Sequence, residues 1–584
     1  MCGIVGIVDF ANIAINQFQL NYMNSLLHHR GPDCGDIFVD RNVGLAHRRL
    51  SIIDLSKEAN QPMTYRDSNY WIIFNGEIYN YLELREELIQ KGYFFNTQSD
   101  TEVILASFIE WGMDCFHKFN GMWALAIYNT KNQELLLCRD RFGVKPLYFY
   151  QDEKRLIFAS EKKAIVLSDY VKLEFDYRSI KTAIRNPFQL EASGFSEFKN
   201  VKNLLPGHLV QLKGNKLKIS RWYKLEDHLD KKIPSGFNER VDKFKTLFTD
   251  ACKIRLRSDV PLATSLSGGL DSSSVVATIS LVDKLKHKTF THAFENTPLN
   301  EVEFAKIVAD STHTPLTIVK MDEENLEQKM DEIIYYLEAV YDGIPDAAFR
   351  IYEAQRSEGY KISIDGHGAD EMLAGYDWYL SKYLGHTSSK KLLVSLKKII
   401  KQMLNPLLQF RGIYPDARYT TPSRFSHLKQ RLYEDFNYTI LPRILKNFDA
   451  MSMANSVEVR MPFLDYRLVQ YVFSLPDADL INEGWTKYIL RCAMEGTLDE
   501  RVNWRRDKIG FNSPVEKLLK EDLLSWTKKA IESSDNSLFN KRVLQKEFAT
   551  MISSSDNWIE WFGFWKKINA LKLIEIYKKR KDHA

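Results

Sequence analysis

The apolar rhythm of this chain changes once, near Leu225–Pro234, where the polar stretch KLEDHLDKKIPSG carries a Pro-Ser-Gly break. Before the break, short apolar or alternating runs (CGIVGIVDF, YWIIFNG, MWALAIYN, ELLLCRD, PLYFY, RLIFAS) are bounded by Gly, Asn and Asp, and so predict strands. Helical patterns over Tyr81–Lys91 and Thr101–Trp111 lie between some of them. Strands with segregated helices predict a layered α+β domain. After the break, helix and strand alternate: helix Phe237–Arg257, strand Val260–Leu266, helix Ser272–Lys284, strand TFTHAF, helix Val302–Ser311, strands LTIV and KISID. That alternation predicts a parallel α/β sheet, followed by a helical part from about Asp377. At 584 residues the chain is too long for one core. We therefore expect two domains, residues 2–225 and 235–584.

Composition excludes several classes of function. Apolar residues at 45% and charged residues at 27% describe an ordered globular protein. A net charge of +4 on this length gives no footprint for nucleic acid. The basic run Lys390–Lys401 has Leu and Ile at helical spacing and reads as the solvated face of a helix. Six scattered cysteines without CxxC spacing exclude a zinc ribbon and argue against a disulfide framework. No secretory signal and no apolar run of about 18–20 residues is present, so no membrane insertion is expected. A reducing cytoplasm is the expected setting.

Three stretches carry candidate chemistry. Cys2 stands directly behind Met1, so removal of Met1 would join a thiol and a free α-amine on one residue. Taken alone, Cys2 reads as the start of a buried strand. Residues 265–273, SLSGGLDSS, lie between a strand and a helix, where paired glycines, hydroxyls and free N–H groups form an anion cradle. No GK[ST] follows, so this is not a Walker loop. It resembles the pyrophosphate loop, SGGxDS, of ATP pyrophosphatases. A second glycine turn, Asp365-Gly366-His367-Gly368-Ala369-Asp370-Glu371, follows KISID. Acids beside phosphates usually act through Mg²⁺, although first-turn acids also complement a helix dipole.

CGIVGI, RGPD (Arg30–Asp33), RRLSIIDLS (Arg48–Ser56), NGEIYNY (Asn75–Tyr81), SDTEV (Ser99–Val103), RDRFGVKPLYF (Arg139–Phe149) and FASEKKA (Phe158–Ala164) resemble a class II glutamine amidotransferase domain of the N-terminal nucleophile (Ntn) type. The pyrophosphatase loop, GADE, SMANSVEVRMPFLD (Ser452–Asp465) and RRDKIGF (Arg505–Phe511) resemble the synthetase domain of glutamine-hydrolysing asparagine synthetases. The motifs run in order over nearly the whole chain. The resemblance implies an Ntn layered sandwich followed by an α/β ATP-pyrophosphatase domain. It implies a ligase that uses glutamine, aspartate and ATP with Mg²⁺ and channels ammonia to a β-aspartyl-AMP. Family members are often dimers, which leaves a homodimer open.

The resemblance also implies roles. Cys2 would be the nucleophile with its own amine as base, once Met1 is removed. Asn75 and Gly76 would form the oxyanion hole, Arg49 would hold the glutamine α-carboxylate, and Asp100, with Glu77 nearby, the α-ammonium. Leu266, Ser267, Gly268, Gly269, Asp271, Ser272, His292, Asp365, Gly366 and Lys508 would bind ATP or pyrophosphate. Asp271 and Asp370 are the candidates for Mg²⁺, and His367, Asp370 and Glu371 for the acceptor site. Alone, Arg49 and Asp100 would read as a surface ion pair or loop cap, and Lys508 as a solvated side chain. His28, His29 and His47 read as structural.

Well-known members carry SGEGSDE or SGDGADE where this chain has DGHGADE, and a basic residue is common where it has Ala450. Histidine at 367 supplies no permanent negative charge. The leading expectation is asparagine synthesis. The alternative is the same mechanism on another carboxylate, such as a uronic acid or a peptide.

Overall fold

The computed structural model describes residues 2–66, 68–282, 287–295, 297–321, 325–384, 421–507, 513–534, 537–554 and 557–583. The expected helix over Lys390–Lys401 lies outside these residues. In the first unit the strands are β1 (Gly3–Asp9), β2 (Cys34–Asp40), β3 (Val43–Arg49), β4 (Met63–Thr64), β5 (Tyr70–Ile78), β6 (Gly121–Asn129), β7 (Glu134–Arg139), β8 (Tyr148–Gln151), β9 (Arg155–Ala159), β10 (Val201–Asn203), β11 (His208–Lys213) and β12 (Lys216–Arg221). They form two six-stranded sheets, ordered β10-β8-β9-β1-β3-β2 and β12-β11-β7-β6-β5-β4.

Strand alternation sorts the side chains into layers. From β1, Ile4 and Val8 enter the core between the sheets, where they meet Ile73, Ala124 and Leu137. Val5 and Ile7 point to the opposite face, under Leu20 and Met23 of the helix Gln17–Ser25. The outer face of the second sheet packs Ile72, Phe74 and Trp123 against Leu84, Leu88, Val103 and Ile104 of the helices Tyr81–Gln90 and Asp100–Trp111. The result is helix on sheet on sheet on helix, the layered sandwich expected from the segregated strands.

The second unit holds a five-stranded parallel sheet of β13 (Leu262–Ser265), β14 (Lys288–Ala293), β15 (Leu316–Lys320), β16 (Ile362–Ile364) and β17 (Glu458–Arg460). Its order, β15-β14-β13-β16-β17, reverses direction between β13 and β16. Ligands of open α/β sheets bind at the carboxyl ends of strands flanking such a reversal. SLSGGLDSS leaves β13 there and DGHGADE leaves β16.

The chain after Asp377 is mostly helical, as expected, and within it β17 completes the sheet and a small hairpin, Ile481–Asn482 with Trp485–Thr486, follows. β17 has only three residues and two of them are charged, so its alternation is invisible among flanking helical patterns. Its charges are buried because they serve the contact between the units.

That contact combines one continuous apolar core with buried polar pairs. Arg30 of the first unit donates from Nη1 to Glu161 and to Asp449 of the second, at 2.9 Å each. The Glu338 carboxylate accepts the backbone N–H groups of Lys162 and Lys163, both at 2.6 Å. Asn120 donates to Asp465 at 2.8 Å. All six cysteines are free.

Candidate functional site

The first candidate site sits at the start of β1 and the end of β5. The Cys2 backbone nitrogen donates to Asn75 Oδ1 at 3.1 Å, and Arg30 Nε donates to the Cys2 carbonyl at 3.1 Å. Burial pushes the Cys2 thiol above its ordinary value, against the pull of the Arg49 charge and a backbone hydrogen bond at Leu50. Asn75 is fully buried, yet its Nδ2 has no hydrogen-bond partner. A buried, unpaired amide donor is costly unless a ligand completes it. Gly76 is required by close approach, because an added Cβ would lie 2.0 Å from the Met122 carbonyl oxygen.

Arg49 ends β3 and is 5% exposed. Its guanidinium donates to the carbonyls of Ser56 (2.6 Å), Ile53 (3.4 Å) and Asp54, and to Asn60 Oδ1 (2.8 Å). All are neutral oxygens. Among the described residues no carboxylate pairs with Arg49, so its charge stays available to a ligand.

Asp100 opens a helix, and its Oδ2 accepts from Ile78 N at 2.9 Å. Burial raises Asp100 to about 6, with the Ile78 hydrogen bond opposing and Glu458 adding to the rise. Glu77 is pushed well above the usual carboxylate range by burial and by Glu458, against Arg460. Glu458 and Arg460 belong to β17 of the second unit. Arg460 lies 3.3 Å from Glu77 Oε1 and 2.7 Å from Glu458 Oε1. The sequence reading missed both, since neither has a neighbour in the chain that marks it. His47 Nε2 donates to Phe74 O (3.1 Å), and His29 pairs with Glu161, structural uses in both cases.

The second candidate site is the pair of loops after β13 and β16. Ser267 Oγ and Ser272 Oγ are 3.0 Å apart, and the N–H groups of Ser267 and Gly269 donate to these hydroxyls. Gly268 has φ +79°, and a Cβ there would lie 2.7 Å from Phe304 Cβ. The loops touch, since a Cβ on Gly366 would approach Ser272 N to 2.8 Å. Leu266 is buried and donates its N–H to Phe290 O at 2.8 Å. His292, on β14, is buried with both ring nitrogens unpartnered, and burial and Arg350 hold it down at about 4.

Asp365 is an anchor within the loop. Its N–H donates to Arg460 O (2.9 Å). Its carboxylate accepts from Ser363 Oγ (2.6 Å) and Tyr352 OH (2.7 Å). Burial would raise its pKa, but these donors and His367 bring it below the ordinary value. His367 stacks on Phe448, with centroids 3.7 Å apart, and its Nε2 is 3.4 Å from Asp365 Oδ2. Glu371 accepts from Tyr376 OH at 2.5 Å. Lys508 lies outside the described residues.

Asp271 and Asp370 do converge, on a residue the sequence reading did not single out. Lys487 Nζ is 2.6 Å from both Asp271 oxygens and 2.6 Å from Asp370 Oδ1. Burial disfavours this ammonium, but the two carboxylates outweigh it and raise the pKa. Two carboxylates meeting beside a phosphate cradle fit Mg²⁺, which is commonly held by one or two carboxylates plus substrate phosphates.

Two family models match this chain. The model described as a glutamine amidotransferase domain matches residues 1–223, and that described as asparagine synthase matches residues 243–564. The chain belongs to the asparagine synthase family. A relative named asparagine synthetase [glutamine-hydrolyzing] 1, from Bacillus subtilis, is 32% identical over 98% of this chain and 97% of its own length. Asparagine synthetase [glutamine-hydrolyzing] 3 of the same organism is 29% identical over 96% and 95%. A solved glutamine phosphoribosylpyrophosphate amidotransferase from B. subtilis, complexed with ADP and GMP, is 16% identical over 54% of this chain and 65% of that one. Its TM-score is 0.29, a likeness too slight to build on. No helix among the described residues is long and apolar enough to cross a membrane.

Proposed function

We propose that this chain makes asparagine from aspartate, ATP and glutamine, with residues 2–225 releasing ammonia and residues 235–584 activating the acceptor. The observation that carries the reading is the meeting of two complementary half-sites at β17. One end of Arg460 holds Glu77 beside the Cys2 site, and its carbonyl holds the Asp365 loop.

In the first half-site, the Cys2 thiol gives its proton to its own α-amine, which has a pKa of about 7.7–8.0 when free and is therefore partly neutral near pH 7. The thiolate attacks the glutamine amide carbon. Asn75 Nδ2 and the Gly76 N–H take the oxyanion. Ammonia leaves with the returned proton, and water cleaves the thioester to glutamate. The N–H groups of the Ser267–Ser272 loop hold the β- and γ-phosphates of ATP while the aspartate β-carboxylate attacks the α-phosphorus. Ammonia then displaces AMP. Asp271 and Asp370 are the residues that would hold Mg²⁺, which when bound neutralises phosphate charge. The buried, unpartnered ring of His292 suits a nucleoside.

The test is product analysis with amide-¹⁵N glutamine. Labelled asparagine should form in step with AMP and pyrophosphate. Glutamine hydrolysis without asparagine, in the presence of aspartate and ATP, would overturn the reading.

Two outcomes follow for the first half-site. Asn75→Ala should lower glutaminase kcat by about 10²–10³-fold, the usual loss for one oxyanion donor, with little change in KM. Burial pushes the Asp100 carboxyl up to about 6. Below that pH it is protonated and loses its attraction for an ammonium, so KM for glutamine should rise as pH falls. Profiles of KM against pH for the wild type and Asp100→Asn check this. The variant should have a raised KM and no inflection near that value.

A further inference from the structure

A cavity of about 200 Å³ lies between the two units, away from both half-sites. Its lining is cationic: Arg139, Arg141 and Arg221 come from the first unit and Lys446 from the second, while Glu191 is the carboxylate among them. Glu191 is already engaged, by Arg443 at 3.0 Å and by Lys446 at 2.9 Å.

Among the described residues the arginines make no direct ion pair. Arg139 donates to Lys145 O (2.6 Å), Asn203 Oδ1 (2.7 Å), Leu204 O (2.6 Å) and Gly143 O (2.8 Å), all neutral oxygens. Arg141 donates to the carbonyls of Phe119 (2.6 Å), Phe116 (3.1 Å) and His117 (2.8 Å), and its buried Nε has no partner. Arg221 is half-buried; it donates to Tyr223 O at 2.9 Å, and Tyr438, Tyr433 and the Glu226 carboxylate nearby favour its charged form. Among the described residues no carboxylate pairs with any of the three. Arg139 and Arg141 are buried and make no ion pair; Asp140 lies close enough to favour both charges, and Arg141 also lies over the Trp222, Tyr223 and Tyr466 rings, so a bound anion would add to a charge balance that is only partly met. Arginine is also the side chain best shaped to bind planar or tetrahedral oxyanions.

Size narrows the ligand. The cavity exceeds the roughly 150 Å³ that admits benzene and falls short of the ~300 Å³ at which pockets for drug-sized ligands begin. We propose that this cavity binds a small oxyanion, either phosphate or a short dicarboxylate, bridging the arginines of the first unit and Lys446 of the second. Arg139 and Arg141 belong to the RDRFGVKPLYF motif, and glutamine chemistry gives neither a role.

The experiment is calorimetric titration of the full chain with sodium phosphate and, separately, succinate, at constant ionic strength. At least one anion should bind the wild type. Its affinity should fall by about tenfold or more in Arg221→Gln, which removes one charge-assisted contact, and be lost in Ala192→Leu, which fills the cavity without touching its charge. Both variants should keep wild-type glutaminase turnover. Binding of phosphate alone, or of succinate alone, assigns the ligand class. No binding of either anion, or equal binding by wild type and both variants, overturns the proposal, the latter showing that the anion binds outside the cavity. Should a variant fail to fold, wild-type crystals soaked in selenate or succinate decide. Anomalous selenium signal or succinate density beside Arg139 and Arg141 supports the site, and an empty cavity in both soaks overturns it.

Discussion

Cys2→Ala should abolish glutamine-dependent asparagine formation, by about 10⁴-fold or more, while synthesis from added ammonium salts continues at the wild-type rate. Losses of this size are normal when a covalent nucleophile is removed. The separation of the two activities is the informative part. Cys2 lies at the edge of β1, with its nitrogen on Asn75 and its carbonyl on Arg30. An alanine keeps both backbone contacts, so the sheet and the Arg30–Asp449 bridge to the second unit should survive. An uncleaved N-terminal tag should give the same split, because it acylates the amine that takes the thiol proton. Steady-state rates with glutamine and with ammonium chloride, read as AMP or pyrophosphate release, check both. Equal loss of the two activities in Cys2→Ala would mean that the residue supports the fold and not the chemistry.

The half-sites were legible in the sequence to different depths. Ser267–Ser272 stands out locally, as a glycine turn between a strand and a helix, whereas Cys2 alone reads as a strand start and it, like Asn75-Gly76, acquires a role only through the family resemblance. The alternation of strand and helix after Leu225 likewise foretells a parallel sheet. What was not legible depends on distant partners. Glu458 and Arg460 look like an ordinary charged pair in SVEVRMP, and only the placing of β17 beside β16 brings them to Glu77. Asp365 reads as a ligand group in a glycine turn, but its oxygens are taken by Ser363 and Tyr352. Its place in DGHGADE is thus largely structural. The histidine of that turn rests on Phe448, a neighbour far along the chain. Lys487 was invisible for the same reason: nothing in GWTKYILR marks a lysine whose partners lie at 271 and 370.

That lysine gives the second large effect. Lys487 is 4% exposed and has φ +54°, its backbone fixed in the left-handed region at the start of the helix Tyr488–Ala493. Its ammonium separates two carboxylates that would otherwise face each other across a narrow gap. Lys487→Ala leaves both without that counter-charge. Breaking a fully buried pair costs about 3–5 kcal/mol. Asp271 and Asp370 keep 19% and 20% of their side-chain surface, so the expected loss is at the low end, about 3 kcal/mol. A divalent cation can replace the missing charge. With chelator present, the variant should melt well below the wild type, and millimolar Mg²⁺ should recover more of its Tm than it adds to the wild type. Lys487→Met, which restores volume but not charge, should behave like the alanine variant. If Mg²⁺ shifts variant and wild type equally, the two carboxylates do not form a cation site and Lys487 is a packing residue. If both variants match the wild type in chelator, the ion pair contributes nothing to stability. A larger Mg²⁺ shift in the variants would mean that ammonium and metal compete for one position, so that Lys487 must withdraw from the carboxylates whenever a metal-bound phosphate occupies the loop.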